Sequence, residues 1–361
     1  MIFAHGGNLR AAQLRYGIPA GRFVDFSANI NPYGPSDAVV QALAENLREV
    51  RHYPDPDSVL LRQSVAAHLG VSADWVMAGN GASELIYLLA RVFAWRRALI
   101  IGPTFSEYAA AVTAAGGRVR EVPTSAADGF VPSLAAVAEA LPCCDAVFWC
   151  QPNNPTGRLL EPDALARLAA LAGREGASLV VDEAFLDFVP GRDAYSALPL
   201  LPRHPGLLVL YSLTKILAVP GLRLGALIAS PSVLRRLQAS RDPWSVNTMA
   251  QVAGVAGLRE RDFLAGCAAR VARDREELQK RLSALPGVRV LPGRANFLLV
   301  AVGESGYSSA ELVDALGRQG VLVRDCGNFP GLETGYIRVA VRTREDNARL
   351  AAALAGVLAA G

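Results

Sequence analysis

Hydrophobic residues along this chain follow two spacings in turn. Short apolar runs at 76–78, 98–101, 146–150, 178–181, 207–210 and 224–228 are separated by stretches in which apolar residues recur at helical intervals. Runs of this length, bounded by turn residues, read as strands buried on both faces, and their alternation with helices predicts an α/β fold: a mostly parallel sheet with helices on both faces. After Pro231 the pattern changes to long helices, one near 261–285. Strands around 288–302, 321–324 and 336–342 and a closing helix from Arg344 then predict a smaller α+β unit. Ahead of the alternating block, residues 1–35 form a glycine-punctuated arm with one short helix at 9–16 and the polar, turn-forming run 25–32. Helices are expected at 36–50, with Ser36 as N-cap, and at 57–69; the Tyr53-Pro54-Asp55-Pro56 stretch between them is too proline-rich to be helical. The expected organisation is an arm at 1–35, a large α/β domain at 36–246 and a small C-terminal α+β domain at 247–361.

Composition narrows the partners. A net charge of +3 over 361 residues, with arginines interspersed among acids, gives no electrostatic reason to expect nucleic acid. Five cysteines, an odd number without metal-ligand spacing, read as free thiols and give no metal site. No stretch of about eighteen uncharged apolar residues and no signal-peptide pattern is present, so a cytoplasmic protein without membrane contact is expected.

Among 36 basic residues only Lys215 and Lys280 are lysines. Lys280 lies in a charged helix and reads as a solvated face. Lys215 follows the apolar strand 207–210, just before the breaker Pro220-Gly221, and strand ends are where α/β proteins carry chemistry. A desolvated lysine loses its proton and attacks a carbonyl, which arginine cannot do. Three other stretches fall at strand ends. Asn80-Gly81-Ala82-Ser83-Glu84 opens a helix whose backbone N–H groups suit a phosphate, or is an ordinary helix start. Pro152 to Gly157 is either a site loop or a turn. Asp182-Glu183 puts an acid where burial demands a cationic partner, unless it caps a helix; Arg223 is a candidate for that cation or for a bidentate phosphate contact. Together these fit pyridoxal phosphate, which needs a lysine for its aldehyde, a carboxylate for its ring nitrogen, a donor to its ring hydroxyl and a phosphate cup.

The order Asn-Pro-Thr-Gly (154–157), Asp-Glu-Ala (182–184), Ser-x-Thr-Lys (212–215) and Gly-x-Arg-x-Gly (221–225) resembles the fold-type I, class I/II aminotransferase superfamily over nearly the whole chain. The resemblance implies that Lys215 bonds the cofactor and shuttles the proton, that Asp182 pairs with the ring nitrogen and that Asn154 donates to the ring hydroxyl. It also implies that Phe105 stacks on the ring and that Gly81, Ala82, Ser83, Ser212 and Arg223 hold the phosphate. Tyr53 is implied to reach the phosphate from a second subunit, making a homodimer with shared active sites. One departure is Phe185, where many aminotransferases carry tyrosine as a second donor to the ring hydroxyl.

Motifs outside this core speak to the substrate. His5-Gly6-Gly7-Asn8, DFSANINP from Asp25, Trp244-Ser245-Val246-Asn247, PGRAN from Pro292, RDCGNFPGL from Arg324 and YIRVAVR from Tyr336 resemble the L-threonine-O-3-phosphate decarboxylases of cobalamin biosynthesis, which also carry the phenylalanine. That resemblance implies a small-molecule substrate, O-phospho-L-threonine, converted to (R)-1-amino-2-propanol O-2-phosphate. His5, Gly6, Asn29, Asn154, Arg324 and Arg338 would form its pocket. Simpler readings stand beside these: His5 idle on a terminus, Asn29 shaping a turn, and Arg338 facing solvent on an alternating strand. Rival functions are an aminotransferase of histidinol-phosphate type and a non-catalytic regulatory protein that binds the cofactor. A nucleotide site at Gly79 and Gly81 lacks the spaced third glycine and gives Lys215 no role.

Overall fold

A computed structural model describes residues 6–333 and 335–359. The arm contributes β1 (Val24–Asp25), and the alternating block contributes β2 (Val76–Gly79), β3 (Arg97–Gly102), β4 (Arg118–Pro123), β5 (Ala146–Cys150), β6 (Ser178–Asp182), β7 (Leu207–Ser212) and β8 (Gly225–Ile228). Strands β2 to β8 form one seven-stranded sheet in the order β2-β8-β7-β6-β5-β3-β4. The ladders β7-β6-β5-β3-β4 are parallel, and β8 runs antiparallel to both β7 and β2. Every apolar run became a strand because each is sandwiched between helices. Leu99, Ile101, Val147, Trp149, Val181 and Val209 point into one core, while Ile100, Phe148, Val180, Leu208 and Leu210 point into the other. Helices Val59–Leu69, Pro162–Arg174 and Thr248–Arg259 cover the first face, and Gly81–Phe93 and Glu107–Ala114 the second.

Strand β4 is absent from the hydrophobic pattern. It pairs only with β3, and of its side chains only that of Val122 is buried. Arg118, Arg120 and Glu121 on such an edge discourage pairing with another chain, so the segment carries charge where the inner strands carry Val and Leu. The core under the large sheet also runs past residue 247, where the pattern places the start of the C-terminal unit. Ala250, Ala253 and Leu258 of the helix Thr248–Arg259 lie in the same core cluster as Leu61 and Leu224. Gly254 lets this helix approach closely, since a Cβ there would stand 2.5 Å from Leu61.

The C-terminal strands are β9 (Arg289–Val290), β10 (Phe297–Ala301), β11 (Val321–Leu322), β12 (Arg324–Asp325) and β13 (Tyr336–Ala340). An antiparallel sheet runs β12-β13-β10-β9, backed by the helices Arg261–Ser283, Ser309–Arg318 and Arg344–Ala359 through Leu278, Leu298, Leu312, Ile337 and Leu350. Strand β1 pairs in parallel with β11, tying the arm to this sheet. The helix Leu9–Tyr16 is capped by Asn8, whose side chain accepts from Ala11 N–H. The helix after Ser36 spans only Asp37–Asn46 before tightening into the 3₁₀ turn Leu47–Arg51, with Ser36 Oγ accepting from Val39 N–H. The next begins at Val59, because the Asp55 carboxylate accepts the N–H groups of Asp57 and Val59. No described helix is long and apolar enough to cross a membrane.

Register fixes the rim on which chemistry can be built. Cys150 pairs with Asp182 and Asp182 with Leu210; two residues further, Ser212 pairs with Gly225, which pairs with Gly79. Gly225 is needed here, since an added Cβ would stand 2.7 Å from Ala82 N and 3.0 Å from Tyr211 O. Gly225→Ala is therefore expected to destabilise the protein by about 1–3 kcal/mol, read as a lower denaturation midpoint. An unchanged midpoint would show that the helix at Ala82 shifts freely.

Candidate active site

Above this rim lies a cavity of about 430 Å³. Gly6, Asn29, Ala82, Ser83, Phe105, Asn154, Asp182, Ser212, Lys215, Arg223, Arg324 and Arg338 all line it, so residues separated by more than three hundred positions meet in one place. Two of the other residues singled out in the sequence do not, and a third is not described. Gly81 shapes the wall from behind. Tyr53 is 80% exposed and stacks on Trp244 at a ring separation of 4.6 Å, away from its own chain's cavity. His5 lies outside the described residues.

Lys215 follows β7 directly, on the single helical turn Leu213–Ile216. Burial lowers its pKa to about 8, the positive charges of Arg223 and Arg338 push in the same direction, and Asp182 opposes them. Its Nζ lies 6.0 Å from the centre of the Phe185 ring, which offers no hydroxyl and packs edge-on against Phe297. Asp182, 4% exposed at the end of β6, accepts from Tyr108 O–H at 2.7 Å and Ala184 N–H at 3.0 Å. Burial raises its pKa, while those two donors and the Lys215 charge hold it down.

In the loop after β5, the two asparagines divide the work. Asn153 is tied into the fold by Thr104, Pro103 and Thr156. Asn154 faces the cavity, its Oδ1 accepting from Arg338 at 2.5 Å, so its Nδ2 is the donor end. Arg338 also donates to Ser27 O at 2.6 Å, and burial brings its pKa down to about 10. The solvent-facing reading of Arg338 therefore fails: β13 is covered on both faces, and the side chain is 6% exposed. Arg324 stands directly across the ladder from Arg338, donates to Asn328 Oδ1 at 2.6 Å and lies over the Phe329 ring. Asn29 is 4% exposed, and its Oδ1 has no partner among the described residues, which a turn-shaping role does not explain.

At the opposite end, the thirteen-residue helix Gly81–Phe93 begins with Ala82 and Ser83 at the cavity wall, joined by Ser212 and Arg223. A helix N-terminus with two hydroxyls and a guanidinium is an anion cup. Gly81 holds φ +79°, and a Cβ on it would collide with the Arg223 guanidinium. Arg223 itself stands at φ +60°, a strained setting for an L-residue. The donors fit pyridoxal phosphate: a cup for its phosphate, a lone amine for its aldehyde, and a buried carboxylate whose two protein donors are both neutral. No group of His, Cys, Asp and Glu among the described residues could hold a metal. The sequence did not single out Ser27, Tyr108, Thr214 or Phe329 for roles, though all four line the cavity. Ser27, Thr214 and Phe329 sit inside motifs singled out for their neighbours, and nothing in the spacing of Tyr108 marks it.

The description of the aminotransferase class I and II family matches residues 22–354. Over 356 residues, 98% of this chain and 96% of the relative, the sequence is 39% identical to a threonine-phosphate decarboxylase of Salmonella typhimurium. The crystal structure of L-threonine-O-3-phosphate decarboxylase from Porphyromonas gingivalis matches with a TM-score of 0.80 at 27% identity, covering 92% of this chain and 99% of that one. Histidinol-phosphate aminotransferase from Sinorhizobium meliloti, solved in complex with pyridoxal-5'-phosphate, matches with a TM-score of 0.86 at 25% identity, covering 97% and 94%.

The depressed lysine has a thermodynamic consequence. Because the folded pKa of about 8 lies below the ordinary 10.5, folding the cofactor-free chain is penalised while the amine is charged. The penalty is complete below pH 8 and disappears as the pH rises through 10.5. Lys215→Met is expected to stabilise the cofactor-free protein by on the order of 2 kcal/mol at pH 7, with the gain shrinking towards pH 10. Denaturation midpoints at the two pH values check this, and a gain independent of pH would mean the amine is not perturbed.

Proposed function

The chain belongs to the aminotransferase class I and II family, whose enzymes depend on pyridoxal phosphate, and from that membership we propose that it is a carboxy-lyase acting on O-phospho-L-threonine. The product would be (R)-1-amino-2-propanol O-2-phosphate, for cobalamin synthesis in the cytoplasm. The observation that carries this reading is the pair Arg324 and Arg338, facing each other across the β12-β13 ladder, 5% and 6% exposed. The protein acceptors of Arg338 are neutral oxygens, those of Asn154 and Ser27. A guanidinium buried against neutral oxygens calls for an anion, and the second guanidinium across the ladder adds positive potential at the same place. A phosphorylated amino acid brings two, a phosphate and a carboxylate, whereas a phosphorylated amino alcohol brings one.

When bound, pyridoxal phosphate supplies an electron sink for whichever bond at the substrate Cα stands perpendicular to its ring. The protein's part is to choose that bond and manage protons. Asp182 would hold a proton at the ring nitrogen, Asn154 Nδ2 would donate to the ring hydroxyl without the second donor that Phe185 lacks, Phe105 would pack on the ring, and the cup at Ala82, Ser83, Ser212 and Arg223 would anchor the phosphate. Arg324 and Arg338, with Asn29 and the backbone at Gly6, would grip the substrate's two anions and fix the orientation of its carboxylate. Lys215 Nζ, within reach of the same space, delivers a proton to Cα once CO₂ has left.

We also read the protein as a homodimer. Val40, Leu47, Val50, Tyr53 and Leu60 are exposed on the segment 37–60, with Trp244 stacked beside them, an apolar set that calls for a covering partner. Tyr53 then reaches the phosphate cup of the other copy.

Two experiments bear on these statements. Incubated with O-phospho-L-threonine, the enzyme should release stoichiometric CO₂ without an oxoacid acceptor; turnover that requires 2-oxoglutarate would instead identify an aminotransferase of histidinol-phosphate type. In sedimentation equilibrium the protein should have twice its chain mass, and Leu47→Asp combined with Leu60→Asp should produce monomers that bind the cofactor at least about tenfold more weakly. Monomers with undiminished cofactor affinity would remove Tyr53 from the site.

A further inference from the structure

Tyr108 is wholly buried on the helix Glu107–Ala114, yet its ring reaches the cavity wall. Its ring stacks on Phe148, with centroids 5.1 Å apart and planes 21° apart, and meets Phe105 edge-on at 5.5 Å. Phe148 lies in β5 beside Val180 of β6, so the stack is braced against the centre of the sheet. From that fixed position the phenol O–H reaches Asp182 Oδ2 at 2.7 Å, while Oδ1 takes the Ala184 N–H at 3.0 Å. Burial carries the phenol pKa well above its usual value, so this hydroxyl remains a donor across the working range. The Cys150 thiol stands within hydrogen-bond reach of the phenol and donates to Pro152 O at 3.2 Å.

A desolvated carboxylate tends to take up a proton, and a donated hydrogen bond opposes this by stabilising the anion. We propose that Tyr108 is a positioning residue of the reaction: its hydroxyl keeps Asp182 anionic and aimed at the cofactor's ring nitrogen, and so decides on which side of that contact the proton rests. The inference builds on the pyridoxal phosphate reading above. Without the donor, the proton moves from the ring nitrogen to a carboxylate oxygen, the charged pair becomes a neutral one, and a neutral pyridine withdraws electrons less strongly. No other atom changes its bonding.

The test uses the full-length holoenzyme loaded with pyridoxal phosphate labelled with ¹⁵N at the ring. In Tyr108→Phe the ring-nitrogen signal is expected to move towards the unprotonated position, and kcat for CO₂ release to fall about tenfold while KM changes less than about twofold. 3-Fluorotyrosine at position 108, with a more acidic phenol in the same shape, is expected to move the signal the other way. It also covers the case in which the phenylalanine variant does not fold. A signal unmoved in both proteins, or a loss confined to KM, overturns the assignment to Tyr108 alone. A wild-type protein that retains no pyridoxal phosphate overturns the underlying functional reading instead.

Discussion

Asp182 sits at the end of β6 with both carboxylate oxygens held by neutral donors, and Lys215, Arg223 and Arg338 share its cavity without forming a conventional ion pair with it. A charge removed from water and left uncompensated costs several kcal/mol, and here several are gathered in one space. Burial depresses the lysine and Arg338 and raises the aspartate, which are three signs of the same strain. Such an arrangement persists only because the surrounding fold imposes it, and it is relieved when a ligand brings complementary charges. The cavity is thus defined by the charges that would complement it: one anion at the cup, one cation at Asp182, and one anion at Arg338.

What imposes the arrangement is the sheet. Inner strands that are apolar on both faces leave no freedom of register, because a one-residue slip would exchange the two cores. Fixed register puts Ser212, Gly225 and Gly79 in one row, and the two glycines let the helix Gly81–Phe93 present its N-terminus directly over it. Functional precision here derives from hydrophobic packing well below the site. The strain at Arg223 and the φ of Gly81 are local adjustments made on top of that frame.

The same physics explains what the sequence disclosed. A parallel strand buried on both faces leaves an apolar run, and Lys215 stood out because almost every other basic residue is arginine. Asp182 and Asn154 were legible at strand ends through a motif order that few chains share. Strand β4 was hidden because an edge strand carries charge by need. Arg338 was ambiguous because alternation in β13 suggests a solvent face, and only the tertiary packing shows that both faces are covered. Tyr108 had no signature at all, since a donor to a buried acid is defined by where two helices and a sheet meet rather than by any spacing along the chain.

On the proposed reading, chemistry and substrate choice occupy different parts of this molecule. The groups suited to the cofactor lie on the rim of the seven-stranded sheet, whereas those suited to substrate anions come from the arm and from β12 and β13. These two sources are fastened together: β1 pairs with β11, Arg342 donates to Asp25 O, and Arg338 donates to Ser27 O. Gly6 closes against the Ser27 carbonyl, where any side chain would collide, and Gly7 N–H bonds Ser27 Oγ. Arm and arginines therefore form one connected unit, which Arg338 ties to Asn154 and Asn31 ties to the backbone of Lys215 and Ile216 on the rim. On the proposed reading, members of the family that share the rim would divide between amino-transfer and decarboxylation through the groups that orient the substrate anions, with the groups suited to the cofactor unchanged.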